Sequence, residues 1–262
     1  MPAEQGTNQS VERAVSVLRA LGAGSPERRV SDIAADAELG PSTTSRLLAT
    51  LEQLDLVERN PVSGLYRLGL GTLPLATMAL NSHPVHRASR MVLQGLAART
   101  ELGANVGILR GADLVFLSNF EGARTPKAYT QAGSTAPLHA TAIGKCLVSR
   151  MTVKERRSLL GPELDALTDY TVASHEALDE ACDAVRRTGY ATEVQERALG
   201  RSSLAAPVLD SRGTVVAAIS LWGPASLLGT LSTADKPGTR EAELAGQVIE
   251  AADAISQALG AH

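Results

Sequence analysis

Apolar residues in the first part of the chain recur at the three- and four-residue spacing of amphipathic helices. The stretch SVERAVSVLRALG predicts one such helix, with Ser10 as its N-cap and Gly22 as its stop. A shorter helix is expected in VSDIAADAELG, where Ser31 serves as the cap and Gly40 ends the helix.

A third helix is predicted in PSTTSRLLATLEQLDLV, because Pro41 occupies a favoured first-turn position. Its buried side is expected to hold Leu47, Leu48, Leu51 and Leu54. Three helices, of which two are short and joined by a glycine turn, are typical of a helix-turn-helix.

The next stretch, LVERNPVSGLYRLG, has two short apolar runs that are separated by turn-forming residues. Those turn residues are Asn60, Pro61, Ser63 and Gly64. The pattern predicts a β-hairpin. A tri-helical unit followed by such a hairpin is the winged form of a DNA-binding domain, which we place at residues 8–70.

A change of pattern marks the end of this first domain. The segment from Leu70 to Leu80 is apolar and helical, and Pro84 then breaks it, because proline lacks a backbone donor and disfavours helix in the residue before it. We therefore expect a linker helix at residues 71–84 and a second domain at residues 85–262.

The second domain is expected to alternate between strands and helices. After a helix that ends near Thr100, strands are predicted in ANVGILR, LVFLSNF and KAYTQAG, and helices between about Leu138 and Thr188. Further strands are predicted in YATEV, SSLAAPVLD and TVVAAISLWG, and a closing helix from about Thr239 to Leu259. Strands, a helical block and strands again predict an α+β fold around one antiparallel sheet.

Composition narrows the function classes only slightly. The chain has 262 residues, 44% of them hydrophobic, and a formal net charge of −3, which is ordinary for a globular protein. It has no apolar run near the roughly 18 residues that a membrane span needs and no export signal at its start, so we expect a cytoplasmic protein without a membrane partner. Cys146 and Cys182 are accordingly expected to be reduced.

The third helix offers the side chains that a DNA-reading helix needs at its start. Small polar and basic residues there would meet the major groove, and the candidates are Ser42, Thr43, Thr44 and Arg46. On the wing, Arg59, Tyr66 and Arg67 would contact phosphates, together with Arg28 and Arg29. The alternative is that Ser42 to Thr44 only cap a core helix. The first eighty residues hold nine acidic residues and seven arginines, so the net charge of this part of the chain does not favour DNA binding.

The stretch PLHATAIGKC is rich in reactive side chains but does not match a phosphate-binding loop. Such a loop needs a glycine where His139 stands and Ser or Thr where Cys146 stands. His139 and Cys146 are also seven residues apart, about 10 Å of helix rise, so one metal ion cannot bind both. We expect no metal, no cofactor and no enzymatic activity, and a buried, inert thiol at Cys146.

Two groups of motifs resemble one known family. SVERAVSVLRAL, STTSRLLATLEQLDLVER and GLYRLG resemble the winged helix-turn-helix of the IclR family of bacterial transcription regulators, and PLHATAIGKCL with GYATEVQERALGRSSLAAPVLDSRGTVVAAISLWGP looks like its effector-binding domain. The resemblance implies a GAF-like C-terminal domain that encloses a small organic ligand, usually a carboxylate or an aromatic metabolite. It also implies a homodimer or homotetramer on palindromic double-stranded operator DNA near catabolic operons.

Carried over onto this sequence, the resemblance implies an effector pocket of six residues. They are Ala142, Ile143, Glu193, Ser203, Ser220 and Trp222. Free N–H groups at the start of the helix in PLHATAIGK would receive a carboxylate. Two departures stand out, because some relatives carry cysteine in place of Ser203 and a small hydroxyl residue in place of Trp222. With hydroxyls as donors, Trp222 as a stacking wall and no cation beyond Lys145, the pocket is expected to take a compact, singly charged acid with a hydroxylated or neutral end.

The leading hypothesis is therefore a ligand-responsive transcription regulator, expected to act as a repressor, that binds operator DNA and a small-molecule effector. Two alternatives remain open. One is a small-molecule hydrolase with an N-terminal interaction module, and the other is a scaffold whose winged helix does not bind DNA.

Overall fold

The computed structural model of the protein describes residues 8–22, 25–125, 132–228, 231 and 238–261. The chain forms two compact units, Met1–Leu80 and Asn81–His262. Helix α4, Thr72–Ser82, runs through the junction between them. The two units are described in turn.

The first unit is a winged helix-turn-helix. Its elements in chain order are α1 (Gln9–Leu21), α2 (Val30–Asp36), α3 (Pro41–Gln53), β1 (Val57–Arg59) and β2 (Tyr66–Leu68). The three helices and β1 share a small core of buried side chains, Val17, Ala20, Leu21, Ile33, Leu48, Leu51 and Val57. The predicted three helices and hairpin are confirmed.

Several helix ends differ from the prediction. The N-cap of α1 is Asn8, whose side-chain oxygen accepts from the N–H of Ser10 at 3.1 Å. Ser31 lies inside α2, where its hydroxyl donates to Asp32 at 3.0 Å, so it does not cap that helix. Gly40 caps the start of α3, and α2 already ends at Asp36.

Leu54 was expected on the buried side of α3 and is instead 62% exposed. The helix ends at Gln53, and Leu54 is its C-cap. The chain turns there through Asp55, which has a left-handed φ of 58°. The side chain of Leu54 therefore leaves the stripe that Leu48 and Leu51 continue into the core.

The wing is a short antiparallel hairpin in which Val57 pairs with Leu68 and Arg59 with Tyr66. The side chain of Asn60 organises the turn by accepting from the N–H groups of Val62 at 2.9 Å and Ser63 at 3.1 Å. Gly64 follows with a φ of 71°, a conformation that favours glycine. The side chain of Asn60 also donates to Glu27, which precedes α2, at 2.9 Å, so the tip of the wing is held both by its own turn residues and by the helical part of the unit.

The second unit contains one six-stranded antiparallel sheet with the strand order β5-β4-β3-β8-β7-β6. Its strands are β3 (Gly103–Arg110), β4 (Asp113–Phe120), β5 (Thr135–Pro137), β6 (Ala191–Val194), β7 (Arg201–Leu209) and β8 (Val215–Pro224). Its helices are α5 (Pro84–Thr100), α6 (Ala142–Val148), α7 (Val153–Leu160), α8 (His175–Thr188), α9 (Ala225–Leu228) and α10 (Thr239–Ala258). The predicted α+β class is confirmed.

Burial along the central strands shows that both faces of this sheet are covered. Residues 202–206 of β7 and 217–223 of β8 are buried without alternation, as expected when side chains on both faces are packed. Helices α5 and α10 pack on the sheet and on each other, and α6 packs on β7 and β8. The predicted strand KAYTQAG falls largely on residues 127–131, which lie outside the described residues.

Candidate functional site

The first turns of α3 present polar side chains to solvent. Ser42, Ser45 and Arg46 are exposed, and Thr43 is half-buried. Thr44 is buried, and its hydroxyl donates back to the carbonyl oxygen of Gly40 at 3.2 Å. Thr44 was predicted to contact DNA, and this burial removes its side chain from that set, because it points into the helix packing.

The wing carries two arginines with different surroundings. Arg59 is exposed and lies over the ring of Tyr66, 5.6 Å from its centroid. Arg67 forms an ion pair with Glu58 at 2.8 Å, and this pair lowers the pKa of the Glu58 carboxyl. Arg59 therefore has the more available charge of the two, while Arg67 would have to share its guanidinium with Glu58.

Arg28 was predicted to contact phosphate, but its guanidinium has structural partners. It donates to the carbonyl oxygen of Ala20 at 2.6 Å and to Asp36 at 2.5 Å. Its backbone also pairs with Tyr66 beside the wing. Arg28 thus ties α1, α2 and the wing together, whereas its neighbour Arg29 is exposed.

The acidic balance of the first eighty residues does not extend to the start of α3. The sequence of α3 contains one acid, Glu52, and it lies in the last turn. Two further acids of this unit, Asp36 and Glu58, are paired with arginines. The exposed start of α3 therefore keeps the charge of Arg46 without an acidic neighbour in its own first two turns.

The second unit contains a pocket of about 290 Å³, measured out to its open mouth. All six residues that the family resemblance assigned to an effector pocket line it: Ala142, Ile143, Glu193, Ser203, Ser220 and Trp222. Five further residues complete the lining, and the sequence did not predict them: Asn105, Phe116, Thr141, Arg197 and Arg201.

Strand register explains why these residues meet. Glu193 on β6 pairs with Ser203 on β7, and Ser203 pairs with Trp222 on β8. Trp222 in turn pairs with Gly103 on β3, where a Cβ atom would lie only 2.2 Å from the indole. Residues directly opposite each other on antiparallel strands point to the same face of the sheet. One row of side chains therefore crosses the sheet, and Gly103 leaves the space that the indole of Trp222 fills.

Glu193 is a buried carboxyl whose oxygen atoms already have donors. One oxygen accepts from the backbone N–H groups of Glu196 at 2.8 Å and Arg197 at 3.3 Å, and the other from the hydroxyl of Ser203 at 2.9 Å. Burial nevertheless raises the pKa of Glu193, because the loss of water outweighs these hydrogen bonds. The carboxyl is therefore held in a fixed orientation and ionises less readily than usual.

The two pocket serines donate their protons to partners inside the protein. Ser203 donates to Glu193, and Ser220 donates to the side-chain oxygen of Asn105 at 2.6 Å. A hydroxyl has one proton and two lone pairs, so these groups offer a ligand acceptors rather than donors. The expectation that the serines act as donors is corrected by this network.

Trp222 is 1% exposed, so the expected stacking wall is largely covered. Its indole N–H donates to Asn119 at 3.0 Å, and the guanidinium of Arg201 lies 4.5 Å from the ring centroid. An arginine at this distance makes a cation–π contact. One face of the indole is thus occupied by Arg201, which leaves less of the ring for stacking on a ligand.

The stretch PLHATAIGKC forms the helical side of the pocket. Thr141 is the N-cap of α6, and its hydroxyl oxygen accepts from the N–H of Gly144 at 3.1 Å. A Cβ atom at Gly144 would lie 2.1 Å from the carbonyl oxygen of Leu138. Gly144 therefore allows two backbone segments to come close together, which no other residue would permit.

Lys145 was expected to be the cation of the pocket and is instead part of a buried ion pair. Its ammonium group donates to Glu196 at 2.5 Å and to the carbonyl oxygen of Thr192 at 3.0 Å, and both charged side chains are almost fully buried. The pair connects α6 to the end of β6. Glu193 and Glu196 consequently have separate partners.

The remaining reactive side chains lie outside the pocket. Cys146 and Cys182 are buried free thiols, and burial raises the pKa of Cys182 to about 11. The rings of His139 and His175 form hydrogen bonds with backbone carbonyl oxygens, each at 2.9 Å. Among the residues that the structure describes, no group of three or more His, Cys, Asp or Glu side chains is placed to hold a metal ion.

Two family models match the two units. The IclR helix-turn-helix domain matches residues 10–61, and the C-terminal domain of the bacterial transcriptional regulator IclR matches residues 77–257. This chain belongs to the IclR family of bacterial transcriptional regulators. Its first unit is the DNA-binding helix-turn-helix domain of that family, and its second unit is the effector domain.

Similar proteins agree with this membership. The HTH-type transcriptional regulator XynR of Escherichia coli K12 is 34% identical over 253 residues, which cover 96% of this IclR-family chain and 97% of XynR. An IclR transcriptional regulator from Alicyclobacillus acidocaldarius has the same fold, with a TM-score of 0.84, 24% identity and coverage of 97% of this chain and 100% of that one.

A third similar protein carries a ligand. It is an IclR homologue from Microbacterium hydrocarbonoxydans in complex with 4-hydroxybenzoate, with a TM-score of 0.80, 22% identity and coverage of 96% of this chain and 99% of that one. At this identity the likeness extends to the fold alone.

Within the described part of this chain, no helix is long and apolar enough to cross a membrane.

Some pocket residues could not be predicted, because the sequence around them does not indicate that they line a pocket. Asn105 is a polar residue within an apolar strand, and its register with Ser220 is what turns it toward the pocket. Arg197 and Arg201 lie in and just after the connection from β6 to β7, and the path of such a connection cannot be derived from residue types.

Proposed function

We propose that this protein regulates the transcription of a catabolic operon by binding a palindromic operator, and that a small organic acid or aromatic metabolite in the pocket of the second unit changes its operator affinity. Ser42, Thr43 and Arg46 contact base edges in this proposal, while Arg59, Tyr66 and Arg67 contact the sugar-phosphate backbone. The effector contacts the six predicted pocket residues.

The convergence of those six residues carries the proposal. They come from α6, β6, β7 and β8, yet they line one concave pocket with polar groups in fixed orientations. A pocket of this kind, with a small number of oriented polar groups, is the usual form of a small-molecule site. The exposed polar start of α3 supports the DNA-binding half of the proposal independently.

The character of the lining supports a small acid as the effector. Arg197 and Arg201 bring positive charge to the pocket, and Phe116 adds an apolar wall. The Microbacterium homologue that binds 4-hydroxybenzoate supports the choice of aromatic acids as probes. Glu193, whose pKa is raised by burial, can accept from or donate to a ligand hydroxyl, depending on its protonation.

Self-association is part of the proposal. Helix α4 contains no buried residue, and Leu73, Leu75 and Met78 are 58%, 60% and 70% exposed. A helix that is apolar and exposed within its own chain is suited to an interface, and a palindromic operator requires two symmetry-related copies of the DNA-binding unit. We infer a homodimer or a homotetramer.

The hydrolase alternative has no observation in its favour. Ser203 is adjacent to a carboxyl group, and a nucleophilic serine of the usual kind needs a base that in turn is oriented by an acid. His139 and His175 form hydrogen bonds with the backbone away from Ser203.

The test of DNA binding uses the full-length protein and labelled DNA from the region upstream of its own gene and of the adjacent genes. We expect at least one fragment to bind about a thousandfold more tightly than a shuffled fragment of equal length, with an affinity that falls as salt increases. Equal affinity for the natural and shuffled fragments would exclude the regulatory role and favour the scaffold alternative.

A further inference from the structure

Arg197 reaches an unexpected part of the pocket. It belongs to the connection between β6 and β7, yet its guanidinium carbon lies 5.8 Å from the ring centroid of Phe116 on β4. Three strands, β7, β8 and β3, separate β6 from β4 in the sheet. In a flat sheet, four spacings of about 4.8 Å would put β4 and β6 about 19 Å apart, farther than an arginine side chain extends. The connection and the curved sheet therefore bring Arg197 across the pocket to Phe116.

The guanidinium of Arg197 is half-buried and lacks an acceptor. Among the residues that the structure describes, none accepts a hydrogen bond from it or forms an ion pair with it. Burial lowers the pKa of Arg197, although arginine stays charged, and the nearby carboxyl of Glu193 acts in the opposite direction. Its N–H donors therefore remain available to a ligand in the pocket that Arg197 lines.

Glu193 does not neutralise Arg197 through direct contact. The oxygen atoms of Glu193 accept from two backbone N–H groups and from Ser203, and its pKa is raised. The other arginine of the lining, Arg201, is placed against the indole of Trp222. Among the described residues, no carboxylate therefore contacts the guanidinium of Arg197 directly.

We propose that Arg197 determines the specificity of the pocket by binding one oxyanion of the effector, a carboxylate, through paired N–H donors. This inference rests on the proposed function, since it assigns a role within the effector pocket. A planar guanidinium matches the two oxygens of a carboxylate, and such charge-assisted pairs are about twice as strong as neutral hydrogen bonds. A singly charged carboxylate can be bound by one such guanidinium, whereas a phosphate carries more charge and is usually bound by several donors, so the single Arg197 fork matches a carboxylate better.

The inference changes which residues are expected to bind the two ends of the ligand. The sequence alone indicated a singly charged acid whose far end is neutral, held by helix N–H groups and serine donors. In the structure the serines act as acceptors and Arg197 is a cation in the lining. The acid end of the ligand is therefore assigned to Arg197, and its hydroxyl end to Glu193 and Ser203.

The test compares acids with uncharged analogues of the same shape. Pyruvate, benzoate and 4-hydroxybenzoate are titrated calorimetrically against the full-length protein, each beside its primary amide, and glycerol 3-phosphate serves as the phosphate probe. The variants are Arg197→Gln, which keeps the length without the charge, and Arg197→Lys, which keeps the charge without the planar fork. Arg212→Gln, on the exposed turn between β7 and β8, is the matched control.

We expect at least one acid to bind the wild type about tenfold or more tightly than its amide, as one charge-assisted pair would give. Arg197→Gln should lose that preference while the weaker amide affinity stays within about twofold, Arg197→Lys should retain part of it, and Arg212→Gln should retain all of it. Thermal unfolding without ligand checks that each variant is folded.

Three outcomes would overturn the inference in distinguishable ways. An acid that binds the wild type and Arg197→Gln equally well excludes Arg197 as the anion site and leaves effector sensing intact. Binding of glycerol 3-phosphate alone, with dependence on Arg197, overturns the carboxylate assignment. If neither the acids, the amides nor the phosphate bind the wild type, both the inference and the effector role in the proposed function fail for these ligand classes.

Discussion

At the residue scale, exposure separates the side chains that we propose as DNA contacts in the first unit from those that have structural partners. Arg46 is exposed at the start of α3, whereas Thr44, two residues earlier, is buried against Gly40. Arg59 is exposed, whereas Arg28 donates to Ala20 and Asp36. Polar residues of similar type therefore have different surroundings, and the difference comes from which side of the packed helices each one occupies.

We expect Arg46→Ala to weaken specific operator binding by about 1 to 3 kcal/mol, because a base-edge contact of arginine is worth that amount. The matched control is Arg240→Ala, which removes one exposed arginine from the other unit. Both variants are measured by gel shift at one salt concentration, after their thermal unfolding has been compared with the wild type. Equal operator affinity for Arg46→Ala and the wild type would remove Arg46 from the interface.

The raised pKa of Glu193 predicts a pH-dependent effect on stability. A carboxyl whose pKa is higher in the folded chain than in the unfolded chain stabilises the fold below its ordinary pKa, and that stabilisation is lost as the pH rises through the folded-state pKa. Glu193→Gln cannot ionise. We therefore expect the melting temperature of Glu193→Gln to rise relative to that of the wild type between about pH 4 and pH 7.

Glu155 provides a control of opposite sign. Hydrogen bonds from Thr152 lower its pKa, so its ionised form stabilises the fold above its ordinary pKa. Glu155→Gln should become less stable relative to the wild type as the pH rises from about 3 towards the ordinary carboxyl pKa, and the difference should stay constant above that pKa. Parallel pH trends for the two variants would contradict the environment assigned to Glu193.

At the element scale, the motif PLHATAIGKC is a packing element that also forms one side of the pocket. Gly144 allows α6 to approach the backbone of Leu138, and Lys145 anchors the helix to β6 through Glu196. Removal of one partner from such a buried pair typically costs about 3 to 5 kcal/mol, because the other charge is left buried. The reactive residue types of this stretch thus serve the position of α6 relative to the sheet.

Two glycine substitutions test this packing role. Gly144→Ala places a Cβ atom 2.1 Å from a backbone oxygen, so we expect a loss of stability of at least about 1 to 3 kcal/mol in urea unfolding. Gly246→Ala, in the exposed interior of α10, meets no atom within 4 Å and should stabilise the protein by about 0.5 to 1 kcal/mol. Equal stability of Gly144→Ala and the wild type would contradict the close approach of α6.

Most helices and strands could be predicted from the sequence, because the residue pattern within each element specifies its conformation. Helical spacing in α1 and α3 and the Asn-Pro-x-Ser-Gly turn of the wing specify their own conformations. Strands β7 and β8 are apolar runs bounded by a turn at residues 211–213. The six pocket residues came from the family resemblance. Arg197 and Phe116 could not be found in this way, because their contact depends on how far the sheet curves and where a connection crosses it.

At the scale of the whole molecule, two compact units share one chain, and helix α4 lies at their junction. The apolar exposed residues of α4 are the feature that a single chain leaves unexplained. Association of two chains through α4 would bury them and would supply the two DNA-binding units that a palindromic site requires.

We expect the wild type to sediment as a dimer or tetramer at micromolar concentration, and the double variant Leu73→Glu, Met78→Glu to sediment as a smaller species, because charges on an apolar interface oppose association. Leu167→Glu, at another exposed leucine in the second unit, is the control and should sediment as the wild type does. A monomeric wild type would exclude the interface.

The link between the pocket and DNA binding is tested most directly by the operator dissociation constant of the full-length protein, measured with and without the acid that binds it most tightly. We expect saturating acid to change that constant by about 5- to 150-fold, the usual range for coupled sites, and the operator to change the affinity for the acid by the same factor. An acid that binds in the pocket while the operator dissociation constant stays the same would contradict a ligand-responsive regulator.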